Sequence, residues 1–583
     1  MKTNTLQLNA SVAKSLFLGR IVEQNLFPFP RVEDKEVETL RMVLDSVDKF
    51  MANYEAQYRE FDRVGAHPSE YIDALKELGL FGLIIPEEFG GLGLSNSSYS
   101  RVLQQSTRLD SSTTLTIGAH SSIGLKGVLL YGTPDQKTRY LPRLASGEMI
   151  ASFCLTEPGA GSDAASIKTS ATKNSDDSWS LNGEKIWITN GAFADFFTVF
   201  ARTEGQAGKI TAFLVERSFA GVSNGPKEDK MGIRASATTT VVFQNVRVPA
   251  ENVLGEVGKG FKVAMGILNS GRTGLGGGCV GAMKQVIQLS SRQSSERKQF
   301  GKSISEFPLV KEKIAQMTVN CFAAESAVQM LAHYIDSGVE DYSVEAAMSK
   351  IFASEALWQV AYEGLQIAGG NGFMRDFQYE RITRDARIMT IFEGTNEILR
   401  LYVGLCGFKE AGDYLKGVKA GVGRFFEDPI KGFGVLSQYA GKKVSQLTPF
   451  GREKITMLHP ALQEDGLAYE RYTKQLARAT ESLLQKHGKD IVGQQYPTKR
   501  VTDVAIDLFV GLCVLSRVST MLKAPGATVD GLRDELSIAR IFTRQAKRRI
   551  NANLRRIERN EDQLVSELAD SIVQGGQYRW DIF

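Results

Sequence analysis

Residues 179–188 read Trp-Ser-Leu-Asn-Gly-Glu-Lys-Ile-Trp-Ile and contain the clearest β signal in the chain. Asn182-Gly183 is a dipeptide typical of two-residue turns, and the apolar residues on either side suit a pair of strands. The pattern therefore predicts a β-hairpin that turns at Asn182-Gly183. Further strand-like runs follow at Phe196–Ala201, Ile210–Glu216 and Thr238–Val246, and Val248-Pro249 closes the region.

Helical periodicity surrounds this β region on both sides. Between residues 35 and 150, segments such as Val37–Tyr54 and Tyr71–Leu80 space their apolar residues three and four apart, as amphipathic helices do. Long helices are also predicted at Ser305–Ser337 and Ser343–Ile367, and again over 461–574. This order excludes the βαβα alternation of a doubly wound sheet. It predicts a mainly α protein with a central β domain, divided into domains at 1–150, 151–262, 263–405 and 406–583.

Composition limits the classes of protein to which the chain can belong. Its 583 residues are 43% apolar and 23% charged, which is ordinary for a globular protein. The 70 basic and 66 acidic residues leave a net charge of +4, so a dedicated nucleic-acid binder is not indicated. Five dispersed cysteines without a Cys-x-x-Cys pair, and five dispersed histidines, predict neither disulfides nor a metal site. Without a long apolar run, we expect a soluble intracellular protein with no signal peptide.

Two glycine motifs that often bind phosphates lack the context that they require. Gly276, Gly278 and Gly281 match Gly-x-Gly-x-x-Gly, but they lie inside helical sequence with no strand before them. Close packing of helices is the simpler explanation of these small residues. Gly301-Lys302-Ser303 resembles the end of a P-loop, yet position 296 is Glu where that loop requires glycine. The sequence therefore favours neither a Rossmann nor a P-loop site.

Three polar segments are unusual for packing alone, although each has an ordinary explanation. Phe153–Asp163 is a glycine-rich loop that could be a turn before a strand. Trp187–Asn190 ends a strand with an aromatic residue beside a hydroxyl, an arrangement that is more common in protein cores than in cofactor sites. Phe392–Asn396 places the carboxylate of Glu393 after two apolar residues, and Asn396 is a candidate N-cap for a helix over Glu397–Leu405. Taken alone, Glu393 would be interpreted as a solvated acid.

Taken together, these segments resemble the acyl-CoA dehydrogenase family. The matching pieces are Leu155-Thr156-Glu157-Pro158-Gly159-Ala160-Gly161-Ser162-Asp163, Trp187-Ile188-Thr189-Asn190, Glu296-Arg297-Lys298-Gln299-Phe300-Gly301, Gln366-Ile367-Ala368-Gly369-Gly370-Asn371-Gly372, Arg384-Asp385 and Ile391-Phe392-Glu393-Gly394-Thr395-Asn396. They occur in the family's order over roughly residues 35 to 405. The resemblance implies a helical domain, a β-barrel-like domain and a four-helix-bundle domain. The segment after 405, together with Phe17-Leu18-Gly19 and Phe27-Pro28-Phe29-Pro30, resembles the very-long-chain branch, which adds a C-terminal helical domain.

The resemblance also implies a reaction, the FAD-dependent conversion of a fatty acyl-CoA to its trans-2-enoyl-CoA. Glu393 matches the base that removes the α-proton while the β-hydrogen leaves as hydride. A carboxylate shielded from water would have the raised pKa that this task requires. Some relatives carry the base immediately before the arginine that matches Arg272. That position here is Gly271, so Glu393 is the matching candidate. The enolate would be stabilised by the backbone N–H of Glu393 and a hydroxyl of FAD.

The remaining site residues are implied by position in the same resemblance. Those expected to bind the cofactor are Phe153, Leu155, Thr156, Ser162, Trp187, Thr189, Arg297, Gln366, Gly369, Gly370, Thr395 and Asn396. Those expected near the substrate are Ser162, Asn269, Arg272 and Gly394. Arg297, Gln366, Gly369 and Gly370 match residues that hold the FAD of the neighbouring subunit. The resemblance therefore implies a homodimer or a larger homo-oligomer.

Substrate length and electron acceptor follow from the branch resemblance. It implies a long-chain or very-long-chain acyl-CoA, with small residues admitting the acyl tail. Ser112 and Thr114, at the matching positions, are small but are not glycine. Electrons are expected to pass to an electron-transfer flavoprotein. An acyl-CoA oxidase, which passes them to oxygen, and a non-enzymatic role in the assembly of a respiratory complex are the alternatives.

The segment 414–454 is not explained by any of these motifs. It contains eight basic and three acidic residues, interleaved with aromatic ones. Basic residues attracted to anionic lipid, with aromatics at the interface, would attach the protein to a membrane surface. A packed connection to the C-terminal domain is the alternative. We expect a bacterial cytoplasmic protein with membrane association, or a protein of the mitochondrial matrix and inner membrane if the source is eukaryotic.

Overall fold

The computed structural model describes residues 10–204, 209–427 and 454–582, with the side chains of 415–427 outside the description. The described chain forms two compact units. The described residues between 29 and 399 form the first unit, and residues 10–28, 400–427 and 454–582 form the second. All the site residues predicted from the sequence lie in the first unit.

The first unit begins with short helices around an aromatic core. They are α2 Asp34–Asn53, α3 Tyr58–Val64, α4 Ser69–Glu77, α5 Asn96–Thr107, α6 Ser111–Gly118, α7 Lys126–Tyr131 and α8 Pro134–Ala145. (Helix α1, Val12–Phe17, belongs to the second unit.) Side-chain caps set several of these boundaries, since Asp110 accepts a hydrogen bond from the Thr113 N–H at 2.7 Å at the start of α6. A π-helical turn, Ala119–Gly124, follows α6 directly.

An eight-stranded sheet follows the helices. Its strands are β1 Ala151–Cys154, β2 Ser170–Lys173, β3 Trp179–Thr189, β4 Phe196–Thr203, β5 Ile210–Glu216, β6 Val222–Lys227, β7 Thr238–Val248 and β8 Val253–Leu254. The strand order is β6-β7-β3-β2-β4-β5-β8, and β1 pairs in parallel with β4. Phe196, Phe197, Val199 and Phe200 of β4 are fully buried, so apolar cores cover both faces of this strand.

The hairpin predicted at Asn182-Gly183 is wrong, because β3 runs unbroken through both residues. Gly183 has a φ of 155°, and a Cβ there would lie 2.7 Å from the Thr169 Cα. The pairing of β3 with β7 shifts register between Leu181 and Gly183, as at a β-bulge. The turn that joins β2 to β3 is instead closed by Asn174, whose N–H donates to the Ser178 carbonyl at 2.8 Å.

A helical bundle completes the first unit. Its helices are α9 Gly260–Glu296, α10 Pro308–Asp336, α11 Ser343–Ala368, α12 Gly370–Phe373 and α13 Gln378–Ile388, with α14 Asn396–Glu427 leading out of it. A short hairpin of β9 Lys298–Gln299 and β10 Lys302–Ser303 joins α9 to α10. A Cβ at Gly276 would lie 2.6 Å from Val328 of α10, and one at Gly281 would lie 2.8 Å from the Gln104 carbonyl carbon of α5. The prediction that these glycines permit close helix packing is confirmed.

The second unit is built from long helices and the N-terminal segment. Its helices after α14 are α15 Gln463–His487, α16 Gln495–Leu522, α17 Arg533–Glu558 and α18 Asp562–Gly575. The N-terminal segment is fixed to them, since the Glu23 carboxylate accepts a hydrogen bond from the Thr456 N–H at 2.7 Å. By length and composition α16 could cross a membrane, but 83% of its most apolar window is buried within the fold, as is usual for a core helix.

Candidate active site

Glu393 lies in the short loop between α13 and α14 and has an unusual backbone conformation. Its φ is 54° and that of Gly394 is 92°, so two consecutive residues adopt the left-handed region that side chains other than glycine rarely occupy. The carboxylate oxygen Oε2 is buried and has no hydrogen-bond partner in the described part of the chain. A buried carboxylate oxygen without a partner is costly, which is typical of a functional group rather than of packing.

The electrostatic surroundings of Glu393 favour a base. Burial raises the pKa of its carboxyl group, because the charged form is deprived of water. The cations of Arg272 and Lys350 act against this effect but do not cancel it. A carboxylate with a raised pKa binds a proton more readily than an exposed one, as a general base requires.

Helix α9 contacts the Glu393 loop through Arg272. Arg272 is buried and donates to the Asn269 Oδ1 at 2.6 Å and to the Glu393 carbonyl at 3.4 Å. Gly271, beside it, packs against the π-helical turn, where an added Cβ would lie 2.8 Å from the Ile123 Cγ2. Asn269, Arg272, Glu393 and Gly394 are thus brought together in the folded chain.

Thr395 and Asn396 have different roles at the start of α14. The Thr395 hydroxyl accepts a hydrogen bond from the Ile398 N–H at 3.3 Å, so Thr395 is the N-cap residue. The N-cap predicted at Asn396 is therefore one residue late. The Asn396 side chain is buried, with its Oδ1 2.8 Å from the Lys350 Nζ.

A second group of predicted residues lies where β1 and β3 end. Ser152, in β1, donates to the Thr189 carbonyl at 2.8 Å, and the Ile186 N–H donates to the Thr156 carbonyl at 2.9 Å. Lys185, fully buried, donates to the Leu155 carbonyl at 3.1 Å. These contacts bring together the predicted residues of both strand ends, namely Phe153, Leu155, Thr156, Trp187 and Thr189. Ser162 is exposed in the loop that follows β1.

A third group lies at the far end of the bundle from Glu393. Arg297 follows the last residue of α9 and is exposed, as are Gln366, Gly369 and Gly370 at the end of α11. Twenty-five residues of one helix separate Arg272 from Arg297, which corresponds to about 37 Å at 1.5 Å per residue. Within one chain, this third group therefore does not lie together with the residues around Glu393 or with those at the ends of β1 and β3.

The exposed surfaces of the second and third groups fit a flavin nucleotide. Trp187 is 63% exposed although it ends a strand in the β domain, and its φ is 57°. Cβ atoms added at Gly159, Gly161, Gly369 or Gly370 would meet nothing within 4 Å. An aromatic surface, nearby threonine hydroxyls and an exposed guanidinium suit a flavin ring and a pyrophosphate. No cluster of side chains in the described residues could hold a metal ion.

Sequence reasoning missed the two buried lysines that support the site. Lys185 pairs with the Glu157 carboxylate at 2.7 Å, and Lys350 contacts the loop after Glu393. In the sequence each is a single lysine in an otherwise amphipathic or alternating segment, where a lysine is usually solvated. The clearest available signal was the position of Lys350 between apolar residues on both sides, in Met348–Phe352.

Comparison with known proteins agrees with this arrangement. Sequence profiles described as "Acyl-CoA dehydrogenase, N-terminal domain", "Acyl-CoA dehydrogenase, middle domain" and "Acyl-CoA dehydrogenase, C-terminal domain" match residues 37–148, 152–246 and 258–404. A fourth, "ACAD9/ACADV, C-terminal domain", matches residues 460–578. The chain belongs to the acyl-CoA dehydrogenase family.

Two relatives agree along nearly the whole chain, and a third agrees along about two thirds of it. The very long-chain specific acyl-CoA dehydrogenase of rat mitochondria is 43% identical over 566 residues, which are 95% of this chain and 85% of that protein. A solved acyl-CoA dehydrogenase from Bacillus anthracis, complexed with FAD, superposes with a TM-score of 0.79 at 32% identity, over 96% of this chain and 94% of that one. The butyryl-CoA dehydrogenase of Megasphaera elsdenii gives a TM-score of 0.62 at 38% identity, over 64% of this chain and 98% of that one.

The protein is accordingly a flavin oxidoreductase that uses FAD to dehydrogenate acyl-CoA. The predicted family, fold class, enzyme class and cofactor are confirmed. The butyryl-CoA enzyme matches less of the chain because the C-terminal helical domain is additional to the short architecture.

Proposed function

We propose that Glu393 is the base that removes the α-proton of a long-chain or very-long-chain acyl-CoA. The observation that supports this most directly is the buried, unpartnered Oε2 of Glu393. An oxygen that makes no hydrogen bond to the described residues is available to a C–H group of the substrate. Its raised pKa gives it the proton affinity that the step requires.

The backbone at the same residue provides for the charge that develops on the thioester oxygen. The Glu393 N–H donates to no group in the described part of the chain. A fixed N–H next to the base can therefore donate to the thioester oxygen. This hydrogen bond strengthens as negative charge develops on that oxygen in the enolate. Gly394 has no side chain to cover this position. FAD, when bound, supplies the acceptor for the hydride that leaves the β-carbon.

The cofactor would be held by residues of two subunits. Phe153, Leu155, Thr156, Trp187 and Thr189 would contact the flavin ring, and Ser162 would lie where cofactor and substrate meet. Arg297, Gln366, Gly369 and Gly370 lie about 37 Å along the bundle from Arg272. This separation supports their assignment to the FAD of a neighbouring subunit, in a homodimer or a larger oligomer. Asn269 and Arg272 would contact the substrate.

Chain length and electron acceptor are assigned by similarity. The rat relative, which matches most of the chain, is named as specific for very long chains. We propose a long-chain acyl-CoA substrate and an electron-transfer flavoprotein as acceptor.

Anaerobic bleaching of the flavin by saturated acyl-CoA thioesters of 4 to 20 carbons (roughly the physiological range) tests both the reaction and the substrate. Bleaching should be fastest for chains of about 16 carbons or more. Fastest bleaching by butyryl-CoA would contradict the assignment. Rapid reoxidation of the reduced flavin by oxygen would indicate an oxidase.

Attachment to a membrane is a separate part of the proposal. It concerns 414–454, most of which lies outside the described residues. Its excess of basic residues supports docking to anionic lipid, in a bacterial cytoplasm or in a mitochondrial matrix. Flotation with anionic vesicles at low salt should carry the protein upwards. Neutralising Lys416, Lys419, Lys442 and Lys443 should leave it in solution, and failure of the unmodified protein to float would contradict the proposal.

A further inference from the structure

Lys350 is a fully buried lysine in the middle of α11, next to the candidate base. Its relative exposure is 0%. The Nζ donates to the Gly394 carbonyl at 2.9 Å and to the Asn396 Oδ1 at 2.8 Å. Gly394 belongs to the loop that carries Glu393, and Asn396 is the first residue of α14, directly after that loop. A buried ammonium group is expensive unless hydrogen bonds or a nearby anion offset the loss of water.

One of the two acceptors, the Gly394 carbonyl, lies in the part of the loop that has the least stable backbone. Glu393 and Gly394 both have positive φ, and a residue with a side chain costs about 1–2 kcal/mol in that region. Such a conformation persists only where the surroundings hold it. The hydrogen bond from Lys350 holds the second of these residues by its carbonyl, directly after the base.

Asn396 extends the contact from Lys350 to the rest of α11. Its Nδ2 donates to the Ser354 hydroxyl at 3.0 Å and to the Glu355 carboxylate at 3.1 Å. Its backbone N–H donates to the Thr390 carbonyl at 3.1 Å and closes the loop. The loop is therefore tied to one face of α11 by a continuous set of hydrogen bonds, with the ammonium group of Lys350 in its centre.

We propose that Lys350 is a positioning residue for catalysis, whose hydrogen bonds to Gly394 and Asn396 hold the Glu393 loop in its left-handed conformation with a buried positive charge beside it. This inference rests on the proposed role of Glu393 as base. Lys350 does not touch the reacting atoms, but it should have a measurable effect on the pH at which Glu393 acts as a base.

The sign of that effect follows from the charged groups around the base. The titratable groups that face Glu393 and Lys350 are Arg272 and Cys279 from α9, Tyr99 from α5 and Glu355 from α11. Burial raises the pKa of Glu393, and the cations Arg272 and Lys350 oppose that rise. Burial also lowers the pKa of Lys350 to about 8, so its charge is present at neutral pH.

Removal of the ammonium group should therefore raise the pKa of Glu393 further. The base must be ionised to accept a proton, so the acidic limb of the pH profile of kcat/KM should move to higher pH. An opposite charge at short range contributes one to three pKa units, so we expect a shift of about one unit or more. At a pH on the limb, this is about a tenfold loss of kcat/KM.

Two variants separate the charge from the hydrogen bonds. Lys350→Met removes both, whereas Lys350→Gln removes the charge and keeps an amide that can donate to the loop. Lys126→Met is the matched control, because Lys126 is also buried, with a pKa lowered to about 8 by burial, and faces Asp336 rather than the base. The profile of kcat/KM is measured from about pH 5.5 to 9 on holoenzyme, with flavin absorbance checked first.

The expected result is an acidic limb shifted to higher pH in both Lys350 variants, with a higher plateau in Lys350→Gln, and the parental limb in Lys126→Met. An unshifted limb in a variant that retains FAD would overturn the proposal. Loss of FAD from both Lys350 variants, but not from the control, would show that Lys350 maintains the fold and would also overturn it. The Glu393→Gln variant tests the proposed base with Lys350 intact. Failure of the base assignment can therefore be distinguished from failure of the role proposed for Lys350.

Discussion

Three local conditions coincide at Glu393. Its backbone is left-handed, its Oε2 has no partner in the described residues, and burial raises its pKa against the opposing effect of two cations, Arg272 and Lys350. An acid kept for stability would accept hydrogen bonds, as Asp110 does from Thr113 and from His67 at 3.3 Å. A carboxylate that is dry and unpartnered is suited to accept a proton from a bound molecule.

Thr114 is the residue at which chain length can be tested. It is buried in α6, accepts a hydrogen bond from the Thr107 hydroxyl at 2.9 Å, and its methyl group lies 3.8 Å from the Cβ position of Gly278. Thr114→Gly should move the best substrate to a longer acyl chain, because it clears space between α6 and α9. The expected loss of stability is about 1–2 kcal/mol, from the glycine in a helix and the vacated volume.

The measurement is kcat/KM across the acyl-CoA series, together with urea unfolding. Thr116→Gly is the control, since Thr116 is buried in the same helix but its hydroxyl donates back to the Ser112 carbonyl at 3.0 Å. The same change of preference in both variants would show that helix loosening, rather than new space beside Gly278, is responsible.

At the scale of elements, the loop after β1 is held to β3 by the pair Glu157–Lys185. The Glu157 carboxylate accepts hydrogen bonds from the Lys185 Nζ at 2.7 Å and from the Thr169 N–H at 3.0 Å, and both side chains of the pair are buried. Glu157→Gln should leave a buried ammonium group without its counter-charge. The expected cost is about 3–5 kcal/mol in the free energy of unfolding, with faster loss of FAD.

Thermal unfolding and dilution of the holoenzyme measure the two effects. Glu148→Gln is a matched control, because Glu148 forms an exposed ion pair with Arg143 at 2.7 Å and should change stability by less than about 1 kcal/mol. Equal stability of Glu157→Gln and Glu148→Gln would mean that the buried pair does not fix the loop.

The same elements show how far the sequence predicts the structure. The run at Ile210–Glu216 became a strand with those bounds, since its residues are apolar and β-branched and no glycine interrupts them. The hairpin at Asn182-Gly183 failed because the positive φ of Gly183 serves a bulge facing Thr169 rather than a turn. Lys350 and Lys185 could not be assigned to the site, since local patterns do not record which helix or loop a lysine will face. Glu393 was predicted as the base because of the residues around it in the sequence, since a glutamate taken alone would be interpreted as a solvated acid.

At the scale of the whole molecule, the proposed FAD site is completed by residues of a second chain. Arg297 is exposed beyond the end of α9, about 37 Å from Arg272, and pairs with no carboxylate in the described residues. Arg297→Ala should bind FAD about 10- to 150-fold more weakly, because a charge-assisted hydrogen bond to phosphate is worth about 1.5–3 kcal/mol. The fold should remain, since the side chain is exposed.

Release of FAD on dilution, followed by flavin fluorescence, measures this loss. Arg292→Ala is the control, because Arg292 lies one turn earlier in α9 and pairs with Glu296 at 2.9 Å. If both variants release FAD at the parental rate, Arg297 does not contact the cofactor of any subunit.

The central claim, that Glu393 removes the α-proton, is tested most directly by Glu393→Gln in a single-turnover experiment. The amide has nearly the shape of the carboxylate but cannot accept the proton, so the fold, the bound FAD and acyl-CoA binding should be retained. Mixed anaerobically with palmitoyl-CoA, the variant should bleach its flavin more slowly than the parent by a factor of about 10³ or more, within the range that general bases and substrate positioning contribute together. Bleaching at close to the parental rate, with palmitoyl-CoA bound, would contradict the account.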